Sequence, residues 1–158
     1  MTLSLSILFS QKRDSIPLDD RRVLFGFQLG TNQVVSTKSD LGLAFGSSVD
    51  IRLNKHIYLR LPLTLSFFTY KHTGTTVEKS FLDIPLHILY KPFAKKIRPI
   101  FNCGPNYRYD LDSSSSGWYI DAGIGLEIKF KYFLFSPDLK YSYTKDFSTA
   151  SLTICFKA

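Results

Sequence analysis

The feature that most constrains this chain is an alternation of apolar and polar residues, sustained for lengths that soluble sheets seldom reach. Across Trp118–Phe130 one face reads Trp118, Ile120, Ala122, Ile124, Leu126, Ile128 and Phe130; the other reads Tyr119, Asp121, Gly123, Gly125, Glu127 and Lys129. Leu41–Leu53, His56–Thr69 and Phe133–Tyr143 repeat the pattern. Weaker alternation marks Val23–Gly30, Val77–Tyr90, Lys96–Tyr109 and Ala150–Lys157. A period of two is the signature of a strand, and no helical period of useful length competes with it. Strands of ten residues or more exceed the usual soluble length of about five or six and approach a tilted membrane crossing.

Eight such strands in 158 residues make one domain. Nine Tyr and fourteen Phe against one Met suit a pleated surface better than a helix. No run of about eighteen apolar residues offers a transmembrane helix. If the chain crosses a bilayer it must do so as a closed barrel, which leaves no backbone group unpaired in lipid. The expected fold is therefore all-β: a closed antiparallel up-and-down transmembrane β-barrel of about eight strands over residues 21–158.

Alternation alone leaves the facing open, because a soluble ligand-binding barrel alternates too, with its apolar face inward. Side-chain size decides for the membrane arrangement. The small residues Gly42, Ala44, Gly46, Ser48, Gly123 and Gly125 lie on the polar face, and the bulky apolar ones lie on the other. A narrow barrel crowds its interior and leaves its exterior unconstrained. The polar face also holds Asp50, Arg52, Arg60, Asp83, His87, Arg98, Arg108, Asp121, Glu127, Asp138 and Lys140. Inside the lumen these groups can pair, whereas a cation facing lipid at mid-depth costs about 2–4 kcal/mol.

Loop lengths point the same way. Thr31–Asp40, Lys71–Thr76, Asp110–Gly117 and Thr144–Thr149 read as longer polar loops; Asn54–Lys55, Lys91–Lys95 and Phe130–Tyr132 read as tight or basic turns. Aromatics gather at both levels, with Phe67, Phe68, Tyr70, Tyr107, Tyr109, Trp118, Tyr141 and Tyr143 near the longer loops. Tyr90, Phe93, Phe130, Tyr132 and Phe133 lie near the turns. Two aromatic girdles fit two membrane interfaces. Pro62, Pro85, Pro99, Pro105 and Pro137 fall inside predicted strands, where each should mark a bulge or a missing ladder bond.

The net charge of +7 raises the question of nucleic acid. Its cations sit in turns (Lys55, Lys91, Lys95, Lys96, Lys131) or singly along strands, which suits membrane headgroups better. Cys103 and Cys155 point to opposite faces and read as free thiols. His56, His72 and His87 show no metal-ligand spacing, and no cofactor motif is present. Gly123 and Gly125 precede no helix and so form no phosphate loop. Ser113–Ser116 reads as a loop tip. Thr2–Phe9 looks like the tail of a signal peptide without its positive start, so residues 1–20 are expected to be a signal remnant and a polar segment.

Ser80–Tyr90 (SFLDIPLHILY), Arg98–Leu111 (RPIFNCGPNYRYDL) and Asp121–Tyr143 (DAGIGLEIKFKYFLFSPDLKYSY) resemble the PorT family of outer-membrane β-barrel proteins of the Bacteroidetes. Asp19–Asn32 resembles that family's mature N-terminus, and the match includes Pro85, Pro99 and Pro137. The loops Thr31–Asp40, Lys71–Thr76 and Asp110–Gly117 are shorter than the family's. The resemblance implies a non-enzymatic outer-membrane barrel associated with type IX protein secretion and gliding, with lipid and secretion-complex proteins as partners. A soluble or periplasmic barrel binding a small apolar ligand is the alternative. A barrel enzyme would rest on Asp83 and His87, which share one strand face, but a lumenal hydrogen-bond network is the favoured reading of the pair.

Overall fold

The computed structural model describes residues 21–35, 41–72, 75–93, 95–144 and 148–158; the expected signal segment lies outside them. Nine strands follow in order: β1 (Val23–Val34), β2 (Gly42–Arg52), β3 (Ile57–His72), β4 (Thr75–Pro85), β5 (His87–Tyr90), β6 (Ile97–Asp110), β7 (Ser116–Lys129), β8 (Leu134–Tyr143) and β9 (Ser148–Lys157). Every pairing is antiparallel, and β1 pairs with both β2 and β9, which closes the sheet. β5 pairs with the same neighbours as β4, namely β3 and β6, and in the same register. The two are one stave interrupted at Leu86, so the barrel has eight staves.

The register fixes the shape. From Val23 the pairs run to Ile51, Leu59, Ile88, Cys103, Ala122, Tyr141 and Ala150, and Ala150 returns to β1 at Gln33. One circuit thus climbs ten residues along the starting strand. With eight strands, that stagger sets a tilt of about 40°. A ten-residue strand so tilted spans about 25 Å, the height of an outer-membrane apolar band.

Facing follows the alternation. Phe25, Leu43, Ile88, Phe101, Ile120, Ile124, Leu139 and Leu152 are all exposed on the outer wall, while the buried residues are mostly polar or charged. An apolar core is almost absent: among the described residues only Leu24 and Leu134 form a buried apolar cluster. The interior is too narrow for side chains on every inward position. A Cβ on Gly46 would lie 2.0 Å from the Leu63 carbonyl oxygen, so glycine there is a matter of space.

The prolines interrupt pairing without inserting a residue. Thr64 pairs with Asp83 and Arg60 with His87, so Pro62 faces Pro85 across the gap between them. Leu86 donates its N–H to the Pro105 carbonyl (2.8 Å), and Pro105 has no N–H to return. The β7–β8 ladder lapses only between Gly125–Asp138 and Ile128–Phe135, opposite Pro137. Pro99 lies two residues past the last β5–β6 pair, Tyr90 with Phe101. Each feature is a missing ladder bond, and none is a bulge.

Two expectations are corrected. The loop-length asymmetry is small, because strands continue where loops were expected: β1 runs on to Val34, β3 to His72, and β4 begins at Thr75. Antiparallel hairpins keep pairing past the lipid level, since water does not stop the ladder. Phe68 leaves the outer girdle, for it is buried inside, edge-on to Phe81 at 5.5 Å. Other aromatics form belts as expected, including Tyr107 against Trp118 (5.2 Å) at one level and Phe130 stacked on Phe133 (4.6 Å) at the other.

Candidate functional site

The lumen holds two linked layers of charge. Nearer the end where β1 begins and β9 finishes, Glu127 accepts hydrogen bonds from Lys91 Nζ (3.0 Å), Arg98 Nε (2.8 Å) and Lys157 Nζ (3.3 Å). Lys157 also bridges to Asp50 at 2.9 Å. Asp50 holds Arg60 through two bonds, from Nε (2.8 Å) and Nη2 (3.1 Å). The remaining Arg60 nitrogen reaches Asp138 at 3.0 Å, and Asp138 takes a further bond from Asn102 at 3.0 Å. Lys91 also lies 3.9 Å from the centre of the Tyr58 ring. The lattice runs through every stave but β1, and β1 contributes space instead. A Cβ on Gly26 would lie 2.9 Å from Lys157 Cγ, so its absence lets that lysine cross to Asp50.

Nearer the opposite end the layer is more mixed. Asp83 pairs with Arg108 (2.5 Å) and accepts from Ser66 (3.0 Å). Arg108 also lies among the rings of Tyr119 (4.8 Å), Phe81 (5.3 Å) and Phe68 (5.8 Å). His87 Nε2 is 3.0 Å from Asp121; a carboxylate only accepts, so Nε2 carries the proton. Asn106 spans the two carboxylates, at 3.4 Å from each. Beside them is a cavity of about 30 Å³, lined by Thr64, Asp83, Asn106, Asp121, Lys140 and Thr153 among others. That is room for about one water. Lys79 pairs with Asp110 (2.7 Å) at the mouth.

Of the sequence candidates, Asp50, Arg60, Arg98, Glu127 and Asp138 meet in the first layer, and Asp83, His87, Arg108 and Asp121 in the second. Arg52 belongs to neither: it is half-buried at the rim, where its Nε donates to the Asn54 carbonyl at 3.2 Å. Lys140 lines the cavity and is half-buried. Asp83 and His87, imagined as an acid–base pair, each take a different partner. Two central members were missed, Lys91 and Lys157, which are 0% and 1% exposed. Lys91 reads as a turn residue in the sequence, yet it shares the parity of His87 and Leu89; Lys157 shares that of Thr153 and Cys155. Cys155 is buried inside and Cys103 exposed outside, both as free thiols. Among the described residues the buried lining of the lumen is mostly polar or charged and the apolar face of the sheet is turned outward, the reverse of the soluble-barrel alternative.

No protein-family model matches the chain, and no curated protein matches it significantly. Solved structures do match. The chain is similar to the outer membrane protein OprG from Pseudomonas aeruginosa (TM-score 0.60, 11% identity), covering 85% of this chain and 91% of that one. It is also similar to Neisserial surface protein A (TM-score 0.58, 13% identity, 86% and 94% covered). A third likeness is to Ail, the attachment invasion locus protein of Yersinia pestis (TM-score 0.55, 10% identity, 85% and 94% covered). At such identities the likeness is one of fold. Closed register, an apolar outer wall and a charged lumen together make this chain an eight-staved β-barrel of the small outer-membrane type.

Proposed function

We propose that this barrel is a non-catalytic component of a bacterial outer membrane that supports type IX protein secretion and gliding machinery, as PorT-like proteins do. The observation that carries the non-catalytic, non-conducting half of the proposal is the lattice joining Asp138, Arg60, Asp50, Lys157 and Glu127 across the lumen. Solute passage would require breaking these buried ion pairs. What remains available to partners is the loops, the outer wall and the two rims, and loops on a rigid scaffold commonly carry recognition. The secretion role is supported by the PorT-like segments at Ser80–Tyr90, Arg98–Leu111 and Asp121–Tyr143.

The test is deletion of the gene in its own host, followed by assay of type IX cargo in the medium. Cargo retained in the periplasm, and released again when the wild-type gene is restored, is the expected result. Normal export and normal gliding would remove the secretion role and leave the barrel untouched.

A further inference from the structure

The excess positive charge is gathered at one end. Three turns lie at the end where β1 begins and β9 finishes: β2–β3, β5–β6 and β7–β8. The first holds Arg52 and Lys55, the second Lys95 and Lys96, and the third is flanked by Lys129 and holds Lys131. Between Ile51 and Tyr58, Leu89 and Arg98, and Ile128 and Phe135 there is no Asp or Glu. Arg21 and Arg22 stand at the fourth quarter, where β1 begins beside the end of β9. At the opposite end the described residues carry no such excess: Lys79 stands against Glu78, Asp110 and Asp112, and pairs with Asp110.

Two further observations say what the ring faces. Lys55, Lys95, Lys96 and Lys131 are exposed, and they alternate with the exposed aromatics Phe93, Tyr132 and Phe133. Lys95 lies 5.8 Å from the centre of the Phe93 ring and Lys131 5.1 Å from that of Tyr132. Aromatic rings beside cations, just outside an apolar band, are the composition of a headgroup layer. The pairs also recur at each quarter of the circumference, because the staves are joined two by two around the barrel. A docked protein meets one side of a rim; a ring of lipid meets all of it.

We propose that this end of the barrel selectively binds anionic phospholipid headgroups of the adjoining leaflet, with their phosphates seated between the paired cations of each turn. The inference rests on the transmembrane placement and is independent of any role in secretion. A Lys or Arg at an anionic surface favours contact by about fivefold each, so several acting together discriminate strongly at low salt.

The test uses the full chain refolded into nanodiscs of equimolar phosphatidylcholine and phosphatidylglycerol, followed by detergent exchange and quantification of the retained lipid. Wild-type protein should retain phosphatidylglycerol about tenfold over phosphatidylcholine. The K55Q/K95Q/K96Q/K131Q variant should approach parity, and K79Q, at the opposite end, should match wild type. Wild-type protein washed in molar salt, where the screening length is about 3 Å, should also lose the enrichment, and this arm needs no variant to fold. Equal retention of the two lipids by wild type would overturn the proposal and leave an acidic protein as the ring's counterpart. So would enrichment that survives both the quadruple substitution and salt, or that falls equally in K79Q.

Discussion

Among single residues, Glu127 has the most to answer for. It accepts from three cations that are otherwise buried, Lys91, Arg98 and Lys157. Removing one partner of a buried ion pair leaves charge without compensation, at a cost of about 3–5 kcal/mol. Glu127→Gln is therefore expected to lower the unfolding free energy by about that amount in urea titrations of the refolded barrel. Lys55→Gln, at an exposed turn, should change it by no more than about 0.5 kcal/mol. Equal effects at the two positions would mean that the lattice is not what holds the lumen. Parity made most of this layer legible: Asp50, Arg60, Asp138 and Glu127 all fall on the polar face of long alternating runs. Lys91 and Lys157 escaped because they lie at strand ends, where a residue reads as turn or terminus before it reads as interior. Arg52 erred the other way, for parity gives the face but not the depth.

At the level of the strand, the prolines show what alternation cannot carry. Their positions were plain in the sequence, but whether each bends the sheet or merely leaves a bond unmade depends on register, which is a relation between strands. The register is continuous on both sides of Leu86, with Pro85 opposite Asn106 and Ile88 opposite Cys103. The gap is chemical and not geometric, so an N–H supplied there should find its acceptor waiting. In Pro105→Ala the new amide at position 105 is expected to exchange with deuterium as slowly as those of Asn102 and Asn106. Fast exchange would show that the strands diverge at this point. The same dependence on partners explains the shortened loops: strand ends are set by how far a neighbour continues to pair, and the ends of β1, β3 and β4 lie beyond the last clearly alternating residue.

For the whole molecule, the stagger of ten and the lattice together predict a barrel that does not conduct. Refolded into planar bilayers in molar salt, it should give no stepwise current; discrete openings would mean that the Arg60 and Lys157 bridges part under voltage. The closing seam has a different consequence, one of timing. β1 and β9 are the first and last strands, so the pairs from Gly26–Lys157 to Val34–Thr149 join the most distant parts of the chain. Contacts of that separation carry the largest loop-closure entropy and form late. The Asp50–Lys157 bridge reaches from β2 over β1 to β9, so it cannot exist until that seam has zipped. Before then a lysine bound for the interior of the barrel stands on an unpaired edge strand beside hydrocarbon. Assembly in a membrane is thereby self-proofreading: an open sheet carries an unmatched charge, and only the finished ring discharges it.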